Sequence, residues 1–233
     1  MNVWRWLLDT AAGWSSLAIM IRLVFALIIG IMVGIDRGMK RRGAGIKTHA
    51  LVCLGAAIVM VTSQYMMLQF PDAKADMARM GAQVISGVGF LGVGTIMVTG
   101  KNQVRGLTTA AGLWACACLG LAVGIGFIEG TVYTLALIMF TLKILTRVDM
   151  WINKHARVFQ LYLEFDNYRD VASLVKELRG EGVKVSNVEI NKSKIKGEGP
   201  NAVMSLEIMD KNKRLTILED LQSNKYVHFV EEI

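Results

Sequence analysis

The sequence predicts a membrane-embedded all-α bundle of five transmembrane helices followed by a small α+β domain. Apolar residues make up 53% of the chain and the mean hydropathy is +0.43, both high for a soluble protein of 233 residues. The excess is confined to one part. Apolar stretches of roughly 18 or more residues, each able to cross a hydrocarbon core of about 30 Å, recur only before about residue 147. Charge divides the same way: residues 1–156 carry 14 Lys and Arg against 6 Asp and Glu, and residues 157–233 carry 12 against 13. The expected organisation is a transmembrane domain over 1–147, a linker over 148–156 and a soluble domain over 157–233.

The net charge of +7 therefore belongs to the membrane part, in short connectors between apolar segments. Such charge orients a membrane protein, and no aromatic-interleaved basic patch points to nucleic acid. Cys53, Cys116 and Cys118 all fall in apolar segments and read as small packing residues; no metal or disulfide spacing is present.

The first span runs from Ser16 to Ile35 and closes on Asp36, Arg37, Lys40, Arg41, Arg42 and Lys47. Its basic residues follow the apolar stretch, unlike those of a signal peptide, so it is expected to stay as a helix. A second span covers about Thr48 to Met67, a third Arg79 to Val98, a fourth Leu107 to Gly126, and a fifth starts beyond Glu129 and ends near Leu145. Lys and Arg concentrate in alternate connectors, which places the N-terminus outside and the C-terminal domain in the cytoplasm. Trp4, Trp6 and Trp14 then belong to the outer interface and Trp151 to the inner one. Beyond residue 157, Phe159, Leu161, Leu163 and Phe165 alternate as on a strand, and Val171, Leu174, Val175 and Leu178 repeat as on a helix. Further strands at 184–194, around Met204, Leu206 and Ile208, and at the end, a turn at Gly197, Gly199 and Pro200, and a helix at 214–223 complete β-α-β-β-α-β. That order is the ferredoxin-like plan, similar to ACT domains.

Gly30 and Gly34, and Gly120 and Gly124, have the four-residue spacing that lets helix backbones approach closely. The third span is richer still, with Gly81, Gly87, Gly89, Gly92 and Gly94 beside Gln83, Ser86 and Thr95. Tight packing explains this; an interrupted helix lining a polar cavity is the alternative. Arg22 lies within the first span, where an unpaired charge costs at least about 2.5 kcal/mol at the bilayer centre. It either snorkels to the outer interface or pairs with an acid. Asp72 and Asp76 are the candidates, Asp76 standing three residues before Arg79, and pairing is the expectation. Asp36 and Arg37 can meet Lys47, Thr48 and His49 at the inner interface, where the second helix begins and could receive an anionic group. His49 reads as a hydrogen-bonding residue. No catalytic triad, phosphate loop or His/Cys cluster appears, so neither catalysis nor a cofactor is expected.

The segments AGIKTHALVCLGAA (44–57), ARMGAQVISGVGFLGVGTI (78–96) and VRGLTTAAGLWACACLGLAVGIG (104–126) closely resemble the bacterial MgtC/SapB membrane protein family. The resemblance covers nearly all of the membrane part, and the C-terminal domain suggests the SapB-like branch. It implies a bacterial inner-membrane protein with five spans and a cytoplasmic ACT-like tail, linked to growth at low Mg²⁺ and to stress. Some members are reported to act on the F-type ATP synthase; Mg²⁺ transport is an older proposal. Carried over by position, the motif residues are Arg22, Asp36, Arg37, Gly45, Thr48, Asp76, Arg79, Gln83, Ser86, Gly87, Gly89, Phe90, Gly92, Gly94, Gly106, Thr108, Thr109 and Trp114. Asp36 replaces the Glu of many relatives, and Lys47 replaces an Arg. The expected function is that of a non-enzymatic regulator in the lipid bilayer, self-associating as a dimer or binding another membrane protein. A transporter or channel for Mg²⁺ or another solute, and a ligand sensor built on the tail, are the alternatives.

Overall fold

The computed structural model describes residues 2–39, 43–73, 76–99, 103–191, 199–208 and 213–232. Lys40, Arg41 and Arg42 of the basic connector, and Gly197 of the expected turn, lie outside the described residues. The chain divides into two compact units, Met1–Leu145 and Thr146–Ile233.

The first unit is helical: α1 Val3–Ala12, α2 Ser16–Met39, α3 Ile46–Gln69, α4 Met77–Val93, α5 Leu107–Gly124 and α6 Ile128–Phe140, which a π-helical turn at Thr141–Leu145 follows. Four helices are long and apolar enough to cross a membrane: Ser16–Gly38, Ile46–Gln69, Leu107–Gly124 and Ile128–Ile152. These make the chain a membrane protein. At 17 residues, α4 is shorter, about 25 Å at 1.5 Å per residue.

The third span differs from expectation at its end. The helix is continuous from Met77 but stops at Val93, five residues before the expected Val98. Thr95 N–H and its hydroxyl both donate to the Gly92 carbonyl, tightening the last turn. The chain then forms a small antiparallel hairpin, β1 Met97–Val98 with β2 Val104–Arg105. Gly106 closes it with φ of 100°, and a Cβ there would stand 1.9 Å from the Thr95 carbonyl oxygen, so only glycine fits. Likewise unforeseen was α1, a short amphipathic helix that buries Ala11 and leaves Trp4 and Trp6 exposed.

At the centre of the bundle, α3 is gripped from two sides by the paired glycines. A Cβ on Gly30 of α2 would lie 2.5 Å from Ala50 Cα, and one on Gly34 2.6 Å from Ile46 Cα. On α5, Gly120 meets the Cys53 carbonyl and Gly124 the Ala57 carbonyl, where added Cβ atoms would stand 2.2 and 2.4 Å away. Backbones touch there, and dispersion between closely packed main chains holds helices together where water is absent. Ala26, Ile29, Val33, Cys53, Ala57, Cys116, Leu119 and Val123 fill the remaining core.

The second unit begins with α7, Thr146–His155, so most of the expected linker is helical. It continues β3 Val158–Glu164, α8 Tyr168–Gly180, β4 Lys184–Asn191, β5 Asn201–Glu207, α9 Lys213–Gln222 and β6 Phe229–Glu232. The strands form one sheet of order β4-β5-β3-β6, and every neighbouring pair is antiparallel. Period 2 places Phe159, Leu161 and Leu163 of β3 and Ala202, Met204 and Leu206 of β5 on one face. There they pack with Val171, Leu174, Leu178, Ile217 and Leu221. On β4, Lys184 Nζ pairs with Glu207 at 2.7 Å; the hydrogen bond first, and the opposite charge second, push the Lys184 ammonium pKa up.

Candidate functional site

Arg22 is completely buried, and the structure overturns its expected pairing with an acid. All five of its N–H donors are used. Nε donates to the Ala11 carbonyl at 2.7 Å; Nη1 to Gln64 Oε1 at 2.7 Å and the Gly124 carbonyl at 3.0 Å; Nη2 to the Ala12 and Gly13 carbonyls at 3.4 and 2.9 Å. These carbonyls end α1 and α5, where helices leave acceptors unpaired and the macrodipole is negative. The guanidinium thus ties two helix C-termini and the end of α3 to α2. Asp76 is instead the N-cap of α4, its carboxylate accepting from Ala78 N–H at 2.9 Å. Gln64 carries no signal beyond being a polar residue inside an apolar span.

About 14 residues further along α2, some 21 Å at 1.5 Å per residue, a second buried polar group forms. The Asp36 carboxylate accepts from Arg37 Nε at 2.9 Å and from Nη2, with both side chains at most 5% exposed. His49, fully buried on α3, donates from Nδ1 to the Gly45 carbonyl at 2.9 Å, which leaves Nε2 as an acceptor. That atom has no partner among the described residues, and it faces Gly112 of α5, where a Cβ would stand 3.4 Å away. Thr109 is buried one turn before Gly112. Thr48 and Lys47 are exposed.

The remaining residues singled out from the sequence do not converge on a cavity with Arg22. On α4, a narrow seam of Gly81, Val88 and Gly92 is buried, while Arg79, Gln83, Ser86, Gly87, Gly89 and Phe90 are exposed. Gln83, Ser86, Gly87 and Phe90 stand at i, i+3, i+4 and i+7, one stripe of the helix. Phe90 is 83% exposed, and a Cβ on Gly87 or Gly89 would meet nothing within 4 Å. Gly92 packs on Ala110, and Gly94 adjoins the Phe90 and Leu91 carbonyls of the last turn of α4. Thr108 and Trp114 of α5 are also exposed. Among the described residues no three His, Cys, Asp or Glu side chains gather as metal ligands.

The MgtC family profile matches residues 23–151, more than half of the chain and all of α3, α4, α5 and α6. The chain belongs to the MgtC family. Within this MgtC-family chain, the match therefore covers both the glycine contacts around α3 and the open stripe of α4. Protein MgtC of Salmonella typhimurium is 43% identical over 106 residues, 46% of this chain and 43% of that one. The Escherichia coli protein named putative magnesium transporter YhiD is 39% identical over 127 residues, 53% of this chain and 59% of its own length. Each of those two is thus matched over less than two thirds of its length. Protein SapB of Bacillus subtilis is 28% identical over 204 residues, 85% of this chain and 87% of that one, a stretch too long for the helical unit alone. No solved structure matches the chain.

Proposed function

We propose that this MgtC-family protein is a non-enzymatic regulator of the bacterial cell (inner) membrane that acts through protein association along α4, in adaptation to low Mg²⁺ or stress. The observation that carries the reading is the different use of its glycines. Gly30, Gly34, Gly120 and Gly124 are consumed inside the chain, whereas Gly87 and Gly89 are open beside Gln83 and Ser86. Lipid tails offer an amide no hydrogen bond, and small residues allow a partner helix to approach. A second copy of this chain, forming a dimer, is the partner first proposed, and another membrane protein the second. The Mg²⁺ link rests on the family and on the name of the E. coli relative.

The proposed topology has five crossings, with α4 as the third, the N-terminus outside and the tail in the cytoplasm. It is supported by the alternation of basic connectors. The tail's β-α-β-β-α-β order and its sheet order support a ferredoxin-like, ACT-like domain. Purifying the full chain in mild detergent tests the association. Dimers or a co-purifying membrane protein are expected; a strict monomer with no partner contradicts the proposal.

The E. coli relative's name also supports a second reading, transport of Mg²⁺. Such a path favours carboxylates and retained waters, and the buried acid of α2, Asp36, is bonded to Arg37. Vesicles containing the purified protein decide it: Mg²⁺ flux supports transport, and none removes it. The cleft between α8 and α9, about 530 Å³ and bordered by Glu177, Glu181 and Asp220, supports ligand sensing by the tail. Stabilisation of the full chain by a member of a metabolite panel is the expected sign.

A further inference from the structure

A cleft of about 480 Å³ lies between α1 and the turn joining α5 to α6. This volume is within the range of small-molecule sites, about 300–1,000 Å³. Arg5, Leu8 and Asp9 form one wall, and Phe127, Ile128 and Glu129 the other. Its level is fixed by the helices. The span Leu107–Gly124 ends and the span Ile128–Ile152 begins at this turn, so the cleft opens where the bilayer meets water. Trp4 and Trp6 of α1 are exposed, and Trp14 stacks on Tyr65 at the end of α3 with ring centroids 6.2 Å apart, the aromatic belt expected at that boundary.

The charges around the cleft have both signs. Arg5 and Asp9 are one turn apart on α1, with Glu129 facing them from α6, and all three are exposed. None of their side chains makes a hydrogen bond or ion pair to another described residue. Beneath the floor lies the Arg22 guanidinium: a Cβ on Gly126 would stand 3.0 Å from its Nη2. The cleft is thus lined by two carboxylates and one guanidinium together with the apolar side chains of Leu8, Phe127 and Ile128, and a second cation, Arg22, is buried against its Gly126.

We propose that this cleft binds the headgroup of a zwitterionic phospholipid bearing a primary ammonium, a phosphatidylethanolamine. Its ammonium has three N–H donors for Asp9 and Glu129, and its phosphate oxygens accept from the Arg5 fork, above the positive Arg22. The acyl chains continue along the apolar side chains into the bilayer. Phosphatidylcholine has the same charges but no N–H donor, and phosphatidylglycerol has no cation for the carboxylates. The site is separate from the α4 stripe, so it stands or falls independently of the proposed association.

The full chain is purified in detergent with equimolar phosphatidylethanolamine and phosphatidylcholine, and the lipid retained is counted by native mass spectrometry. Enrichment of phosphatidylethanolamine by at least about threefold is expected, the scale of one or two exposed charged contacts. It should vanish in the triple variant Arg5→Gln/Asp9→Asn/Glu129→Gln and persist in Gly87→Leu. Equal retention of the two lipids by the wild type, or the same enrichment in the triple variant, overturns the site. Soluble glycerophosphoethanolamine separates the sources. If it displaces the lipid at millimolar concentration, the site is one for a free zwitterion and the lipid assignment is wrong; failure to displace supports the lipid.

Discussion

At the scale of the residue, Arg22 shows how a charge is kept inside a bundle without a counter-charge in contact. Five donors meet four main-chain carbonyls and Gln64, so removing the side chain strands buried acceptors at the ends of α1 and α5. Each unsatisfied buried group costs about 1–3 kcal/mol. Arg22→Ala should therefore lower stability by at least about 3 kcal/mol, seen as a fall in the thermal midpoint in detergent. Arg22→Lys should recover part of the loss, because an ammonium has three donors and no planar fork. Asp76→Asn should keep its cap and change little. That Arg22 needed an explanation was legible in the sequence; its partner was not. Charge matching points to acids, while the carbonyls that close helices become visible only when the helix ends are brought together. A hydrogen-bonding role for His49 could be read from its interfacial place, but the burial of its Nε2 against Gly112, more than sixty positions away, could not.

At the scale of the element, the glycines separate into those that hold the fold and those left over. Gly120→Leu must push a side chain into the Cys53 carbonyl and should abolish stable folding, read as aggregation or loss of a thermal transition. Gly87→Leu meets nothing within the chain and should fold normally, yet lower the dimer fraction severalfold in crosslinking. The four-residue spacing marked both Gly30/Gly34 and Gly120/Gly124 in the sequence, because the helical repeat alone puts them on one face. The early end of α4 was hidden, since Ile96, Met97 and Val98 are as apolar as a helix would be and only the hairpin closed by Gly106 excludes them. In the tail, alternation exposed β3 directly. Leu174, fully buried against that strand, should cost about 2–5 kcal/mol when changed to Ala, measured by thermal unfolding of the full chain.

At the scale of the whole molecule, the division into a membrane bundle and a sheet-bearing tail follows from hydropathy and charge alone. Both patterns change where water replaces lipid as the solvent of the chain. What no single sequence carries is which face of a lipid-facing helix is meant for lipid, because apolar residues serve packing and solvation equally well there. The structure narrows this by using up two glycine faces, while the stripe of Gln83, Ser86, Gly87 and Phe90 on α4 and Gly55 on α3 stay open. The central proposal is that a second copy covers this stripe, and its most direct test places a cysteine at Ser86 in a chain whose Cys53, Cys116 and Cys118 are replaced by Ala. In native membranes, oxidation should link Ser86→Cys chains into dimers, while Leu137→Cys on the exposed side of α6 should remain monomeric. Equal crosslinking at both positions, or none at Ser86→Cys, would contradict it.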